Sequence, residues 1–276
     1  MKVKMKITIV TPSYNQEEFI ERTILSVLNQ KWDFDLEYII VDWKSTDKSV
    51  EIIKKYDEKI KLWDYKNNFN SIKYIWLSEK DKWQSDAINK WLKLATWDIV
   101  TFLNSDDTYI KWCLETIINE LWNSDKKWCY WKCRIIDLKD REIRKYITMY
   151  KNIIWNKYSY SKLLTENFIS QMTVFWKREV MDEVWYIDVN HHLCMDYEYW
   201  LRLWKIYTPI YIDKNLSNFR FYHTSKSGSM FSKQFKEELE VAEIYAEWNY
   251  KMSLFFHKFN YYKIVVIYKI LGFLKI

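Results

Sequence analysis

Asp106 and Asp107 are adjacent carboxylates that close the stretch Asp98–Asp107, DIVTFLNSDD. Ahead of them Ile99, Val100, Phe102 and Leu103 form a nearly continuous apolar run around one threonine, the pattern of a buried strand in a parallel sheet. Open α/β sheets bind ligands at the carboxyl edge of their strands. Hard oxygen ligands at that edge suit Mg²⁺ or Mn²⁺, and such a cation suits a diphosphate. The competing reading is a loop with a helix N-cap, since aspartate serves both roles.

Two further polar clusters follow strands. Lys6–Thr11 reads as a first strand, broken at Pro12-Ser13-Tyr14-Asn15. Leu36–Val41 reads as a second, ending in Asp42, with Ser45, Thr46 and Asp47 as candidate caps for a helix from Ser49 to Tyr56. Glu17–Asn29 has apolar residues at helical spacing, and Ile72–Leu77 is a third strand. Ser85–Ala95 is a helix leading into the strand before Asp106. Strand and helix alternate four times within the first 105 residues or so, which predicts an α/β fold with right-handed crossovers and a mostly parallel sheet. The clusters 13–15, 42–47 and 104–107 therefore meet at one edge. No single cluster is specific; the convergence of three is.

The second half is less regular. A helix is expected over Cys113–Leu121, strands over Trp128–Asp137 and Glu142–Met149 as a possible hairpin, and a short strand over Met172–Phe175 before a helix at Arg178–Val184. His191-His192-Leu193-Cys194-Met195-Asp196 leads into an apolar segment with Trp200, Leu201 and Leu203. Ile210–Ile212 and Asn218–Tyr222 read as two strands, and Phe231–Met252 as one long amphipathic helix. Leu254–Ile276 is rich in aromatics and isoleucine, interrupted by Lys258, Lys263, Lys269 and Lys275. The lysines break the apolar run below the roughly 20 residues of a spanning helix. A basic, aromatic segment of this kind fits an anionic membrane surface; a helix packed on the core or on another subunit fits equally.

Net charge is +6 over 276 residues. The lysines are scattered and form no dense arm, so an anionic small molecule or membrane surface suits the balance better than nucleic acid. Cys113, Cys129, Cys133 and Cys194 contain no CxxC pair and are expected as reduced thiols. Met1–Lys6 runs directly into a strand, so no leader is expected. One count is abnormal: there are 2 glycines and 17 tryptophans, where usual composition would give about 19 glycines. Tryptophan stands at strand-to-helix turns, in Asp42-Trp43-Lys44, Lys82-Trp83-Gln84 and Thr96-Trp97-Asp98, where close approach or positive φ favours glycine. Most of these positions are expected to be glycine in the natural protein, as a gene reading UGA as glycine would give when decoded as tryptophan; Trp200 and Trp176 are candidates for genuine tryptophan.

Four motifs in order carry a resemblance: VTPSYNQEEFIERTILSVLNQ from Val10, VDWKSTDKS from Val41, SEKDKWQSDAINKWLKLATWDIVTFLNSDD from Ser78 and MDYEYWLRL from Met195. Over roughly residues 5–225 the chain resembles the family 2 glycosyltransferases, which have the GT-A fold and use nucleotide sugars. The match tightens when positions 43, 83, 91 and 97 are read as glycine. The resemblance implies a GT-A domain over 1–225, with a nucleotide half (1–110) and an acceptor half (111–225), and a helical tail over 226–276. It implies that Pro12, Tyr14 and Asn15 border the base pocket, with Tyr14 stacked on the base, and that Asp42 reads the base. Asp86, Asn104 and Ser105 would lie near ribose, diphosphate and sugar. Asp106 would be the metal-binding member of a DxD motif with Asp107 beside it, Asp196 the general base, and Trp200 a wall of the acceptor site. His223, near Arg220 and Lys226, is a candidate for metal or diphosphate, or an ordinary loop residue; Asp196 could equally cap the helix that follows it.

The sequence departs from the family pattern at Asn104, where the first Asp of DxD is replaced, at Met195 before the base, and at Ile88, where many relatives carry a basic residue. The implied reaction is inverting transfer of a sugar from a nucleoside-diphosphate sugar to a glycan or lipid-linked acceptor. It implies Mn²⁺ or Mg²⁺ as cofactor and a cytoplasmic location, with peripheral association on the inner face of the cytoplasmic membrane as an option. The rivals are a sugar nucleotidyltransferase, which has no use for an acceptor base, and a scaffold that kept the fold and lost turnover.

Overall fold

A computed structural model describes residues 5–273 except 32, 63–64, 66–67, 81, 96–97 and 156–158, so the turn at Trp97 lies outside the described residues. Eight strands form one sheet: β1 (Lys6–Ser13), β2 (Asp35–Asp42), β3 (Ser71–Ser78), β4 (Ile99–Phe102), β5 (Thr108–Tyr109), β6 (Trp128–Ile136), β7 (Val174–Lys177) and β8 (Ile210–Arg220). Their order is β3-β2-β1-β4-β7-β6-β8-β5. The first four are parallel, with β1 between β2 and β4. β7 is antiparallel to both its neighbours, β6 and β8 are parallel, and β5 runs antiparallel to β8. The helices are α1 (Ile20–Leu28), α2 (Ser49–Lys61), α3 (Gln84–Leu94), α4 (Cys113–Ile117), α5 (Lys145–Trp155), α6 (Tyr160–Thr165), α7 (Val180–Val184), α8 (Met195–Ile206), α9 (Lys226–Ser229), α10 (Phe231–Tyr245) and α11 (Lys251–Phe273).

The β-α repeat of the first half stands as the apolar spacing predicts. Ile7, Ile9 and Val10 of β1 are buried to 0% exposure, as are Ile99, Val100 and Phe102 of β4; a strand covered on both faces needs such a run. Helix α1 turns Ile20, Ile24, Val27 and Leu28 onto the sheet, each worth roughly 1.5–3 kcal/mol of buried apolar surface. In-register pairing sets Ser13 beside Asp42 and Asp42 beside Ser78, so three turns open at one edge.

The second half differs from its sequence pattern in three places. Residues 142–149 do not form a strand: only Glu142 bridges to Ile136, and helix α5 starts at Lys145. The two strands expected at 210–212 and 218–222 are one, β8, continuous through a bulge against β6. The long helix expected over 231–252 ends at Tyr245, and α11 starts afresh at Lys251, its Ser253 and His257 buried against the core. The four cysteines are free and buried.

Tryptophans stand at both extremes of burial, with Trp76, Trp91 and Trp122 between them. Trp128, Trp131, Trp176 and Trp200 are fully buried; the first two donate Nε1–H to Tyr207 O at 2.6 Å and Ser217 Oγ at 3.0 Å. Trp43, Trp83, Trp112 and Trp185 are exposed. Trp112 has φ 70° and ψ 10°. Trp185 has φ 65° and ψ −171°, a region that is essentially glycine's alone. We propose glycine as the natural residue at these two positions. Replacing Trp185, 73% exposed, by Gly is expected to stabilise the chain by about 1–3 kcal/mol, the cost of holding a side chain there. Thermal denaturation measures it, and an unchanged or lower melting temperature counts against glycine at 185.

Candidate functional site

A cleft of about 880 Å³ opens at the carboxyl edge of the parallel strands. Pro12 and Tyr14 enter it from the end of β1, Asn104, Ser105 and Asp106 from the turn after β4, and Asp196 from the first turn of α8. Residues separated by some ninety positions thus face one space. Tyr14 is 49% exposed and its ring lies 4.8 Å from that of Trp43.

The two carboxylates of the acidic turn are not equivalent. Asp106 lines the cleft, and its Oδ2 accepts the Tyr222 hydroxyl at 3.0 Å. Asp107 is turned into the core at 0% exposure. Its Oδ1 accepts Arg220 N–H at 2.9 Å, and its Oδ2 has no hydrogen-bond partner among the described residues. Burial pushes both acids above the ordinary carboxylate range, Asp107 well above it with help from the charge of Asp106. Arg220 clamps the turn from below. It is fully buried, donating Nε–H to Asp106 O at 2.9 Å and a second N–H to Asp137 O at 2.7 Å, with Asp140 Oδ1 at 2.5 Å.

A polar relay crosses the cleft. Lys226 Nζ donates to Gln84 Oε1 at 3.1 Å, and Gln84 Nε2 donates to Asn104 Oδ1 at 3.0 Å. Lys226 reaches solvent within the cleft, yet the surrounding walls desolvate it and lower its pKa, while Asp196 and Glu237 act to raise it. Its loop is held by close backbone packing. A Cβ on Gly228 would sit 2.1 Å from Tyr222 O, and Gly228 N–H donates to Ser225 Oγ at 3.1 Å. None of Gln84, Tyr222 and the Lys226 loop carries a local sequence signal; all three join the site through contacts between distant segments.

Several expected residues serve differently from their predicted roles. Asp42 is fully buried with its oxygens taken by Ser45 N–H at 2.9 Å, Ser78 Oγ at 2.7 Å and the Ser45 hydroxyl, so it holds the turn after β2 and does not line the cleft. Asn15, at φ 49°, accepts Thr46 N–H at 2.9 Å and donates to Ser45 Oγ at 2.8 Å, tying the first two turns together. Asp86 is half-buried in the first turn of α3 and faces Lys82 N at 3.5 Å. His223 is exposed outside the cleft wall, its ring 6.2 Å from that of Phe221. Trp200 is buried against Trp128, ring centres 6.3 Å apart; its helix turns it into the core, so it is not an acceptor wall. Trp83 and His192 instead stack at 4.1 Å inside the cleft. Asp196 does not cap its own helix: Glu237 Oε1 from α10 accepts Leu193 N–H at 2.9 Å and Cys194 N–H at 3.3 Å.

The donor set facing the cleft suits a hard divalent cation. Asp106 offers a carboxylate and Asn104 a carbonyl oxygen, the hard donors such a cation takes, and a cation there would relieve the desolvated Asp106. Asp107 and His223 do not face the same space.

Comparison with known proteins gives the family and the fold. Residues 8–185 match the model for Glycosyl transferase family 2. An uncharacterized glycosyltransferase of Haemophilus influenzae is 30% identical over 198 residues, 71% of this chain and 70% of that protein. A UDP-Glc:alpha-D-GlcNAc-diphosphoundecaprenol beta-1,3-glucosyltransferase of Escherichia coli is 29% identical over 238 residues, covering 84% of this chain and 81% of the relative. Among solved structures, a mannosyltransferase from Pyrobaculum calidifontis in complex with GDP-Man and Mn²⁺ superposes with a TM-score of 0.67 at 15% identity, over 92% of this chain and 69% of that one. The likeness at that identity is one of fold.

Arg220→Met is expected to destabilise the chain by about 1–3 kcal/mol, because it removes the donors to the Asp106 and Asp137 carbonyls. Chemical denaturation reads the loss; a change under 1 kcal/mol, roughly the worth of one surface pair, would mean that the clamp is dispensable.

Proposed function

Because the chain belongs to glycosyl transferase family 2 and is a glycosyltransferase, we propose that it transfers a sugar with inversion from a nucleoside-diphosphate sugar to a glycan or lipid-linked acceptor of a cell-surface polysaccharide. One observation carries the reading: Tyr14, Asn104, Asp106 and Asp196 border the same cleft. The nucleobase lies against Pro12 and Tyr14. The sugar lies between the Asn104 turn and Asp196, which accepts the proton of the acceptor hydroxyl. The hydroxyl oxygen forms the new bond to the anomeric carbon as the bond to the diphosphate oxygen breaks, and the diphosphate leaves with the electron pair. Lys226, held toward Asn104 through Gln84, offsets negative charge on that leaving group in place of the basic residue absent at Ile88. Mn²⁺ or Mg²⁺ held by Asp106 and Asn104 would supply further charge stabilisation of the diphosphate. Such a site needs a base at 196, for which a nucleotidyltransferase has no use.

Asp196→Asn is expected to reduce transfer by about a hundredfold or more while nucleotide binding is kept. Asp106→Asn and EDTA are both expected to abolish metal-dependent nucleotide binding. Calorimetric titration with UDP, GDP and dTDP, with Mn²⁺ and then EDTA, reads all three; lost binding in Asp196→Asn would remove that residue as base. The raised carboxylates set the sign of a pH effect. In metal-free protein they hold protons above the ordinary carboxylate pH range, so metal binding releases protons and strengthens as pH rises. Titration in buffers of different ionisation enthalpy measures that release, and no release would contradict it.

The stacked pair Trp83–His192 favours a second reading, a chain whose donor pocket is filled and which binds without turnover. Trp83→Gly is expected to strengthen nucleotide-sugar binding by about tenfold or more, as clearing a blocked pocket does; unchanged affinity would mean that the indole is not in the donor's way.

A further inference from the structure

Helix α11 is apolar on both sides, although only one side is covered. Its inner face packs on α6 and lines the cleft. Ser253 Oγ lies 2.7 Å from Ser161 Oγ and His257 Nδ1 lies 2.9 Å from Leu164 O, while His257, Tyr261 and Ile264 form part of the cleft wall. The outer face carries Met252, Phe255, Phe256, Phe259, Tyr262 and Val266, each between 48% and 66% exposed. At the helical pitch these six fall within an arc of about 120°. Trp248, 79% exposed just before the helix, prolongs the stripe. A helix that is apolar all round is normally covered all round, and a contiguous exposed patch of this kind marks an interaction surface.

Charge decides between occupants. Lys251–Phe273 contains no aspartate or glutamate, while Lys251, Lys258 and Lys263 flank or interrupt the stripe, Lys258 being paired with Glu243 of α10 at 2.7 Å. A second copy laid face to face would set lysines against lysines. Anionic lipid headgroups complement them, and aromatic side chains bordered by lysine match the composition of helices that lie in the membrane interface. No helix among the described residues is long and apolar enough to cross a membrane. Across the cleft, α5 also presents Tyr146 and Met149 to solvent, 84% and 56% exposed, and both helices contribute to the cleft wall, α5 through Ile147 and Tyr150.

We propose that the outer face of α11 lies on an anionic bilayer surface, so that the cleft opens beside the membrane and takes its acceptor from there. The part concerning the acceptor rests on the proposed transferase reading; the docking does not. The test is co-sedimentation of the full chain with phosphatidylcholine vesicles, with and without phosphatidylglycerol, alongside calorimetric nucleotide binding in solution. The chain is expected to pellet with the anionic vesicles and to be released by high salt. The triple variant Phe255→Ser/Phe256→Ser/Phe259→Ser should lose vesicle affinity by about tenfold or more with its melting temperature and nucleotide binding unchanged. Lys251→Glu/Lys258→Glu, which leaves the aromatics in place, should remove the preference for phosphatidylglycerol. A native chain that stays in the supernatant with anionic vesicles overturns the proposal, as does a triple variant that still pellets. A dimer that the triple variant converts to monomer without any vesicle binding also overturns it, by assigning the face to a second copy. Vesicle binding without nucleotide binding would separate the two failures, keeping the docking and removing the transferase reading.

Discussion

The buried guanidinium of Arg220 is the constraint around which the site is built. It has no exposure, so its own N–H groups must find their partners within the protein. Its partners come from two segments: the carbonyl of Asp106 after β4, and the turn after β6 with the Asp137 carbonyl and the Asp140 carboxylate. The backbone N–H of the same residue fastens the Asp107 carboxylate. The end of β8 is thereby bolted to the acidic turn, which fixes the orientation of the one carboxylate that faces the cleft. Tyr222, two residues on, reaches that same carboxylate, and the tight Gly228 turn then brings Lys226 back over Asn104. One buried cation therefore orders both sides of the cleft.

The acceptor side is fixed in a similar way by buried acids. Glu198, 2% exposed, takes Arg202 in a bidentate pair at 2.6 and 2.7 Å and the Tyr245 hydroxyl at 2.5 Å, joining α8 to α10. Glu237 caps the N-terminus of α8 from α10. Asp196 stands in the first turn of α8 between these two anchors. The helix that carries Asp196 is thus held at its start and along its length by α10, and α10 in turn is followed by α11, whose inner side closes the cleft.

The tryptophans show how one residue type can hold opposite relations to the fold. Trp128, Trp176 and Trp200 pack ring to ring, where replacing an indole by glycine would leave a large void. Trp112 and Trp185 sit at positive φ in solvent, where an indole adds strain and no burial. Trp43 and Trp83 line the cleft, one beside Tyr14 and the other against His192. The expectation of glycine at strand-to-helix turns is a statement about backbone freedom and close approach, which a buried, ring-packed indole does not engage. Burial separates the two groups, and burial is invisible in a composition count.

Much of the architecture was legible before any coordinate. Apolar runs covered on both faces, helices at 3.6-residue spacing and polar clusters after each strand are local patterns, and in a parallel sheet they bring residues 12–15, 42–47 and 104–107 to one edge whatever else the chain does. The pair Asp106–Asp107 and the acid at 196 stood out by type and place. Which oxygen faces the cleft was not legible, because it depends on partners far along the chain: Arg220 is 114 positions from Asp106, and Ser78 is 36 from Asp42. Those partners turn Asp107 and Asp42 inward and leave Asp106 outward. The same holds for residues 142–149, which read as a strand until the sheet closed without them, and for Trp200, which helical phase and neighbouring aromatics draw into the core. Local pattern sets what each segment is; long-range hydrogen bonding and packing, which the order of residues does not encode pairwise, set which way its side chains point.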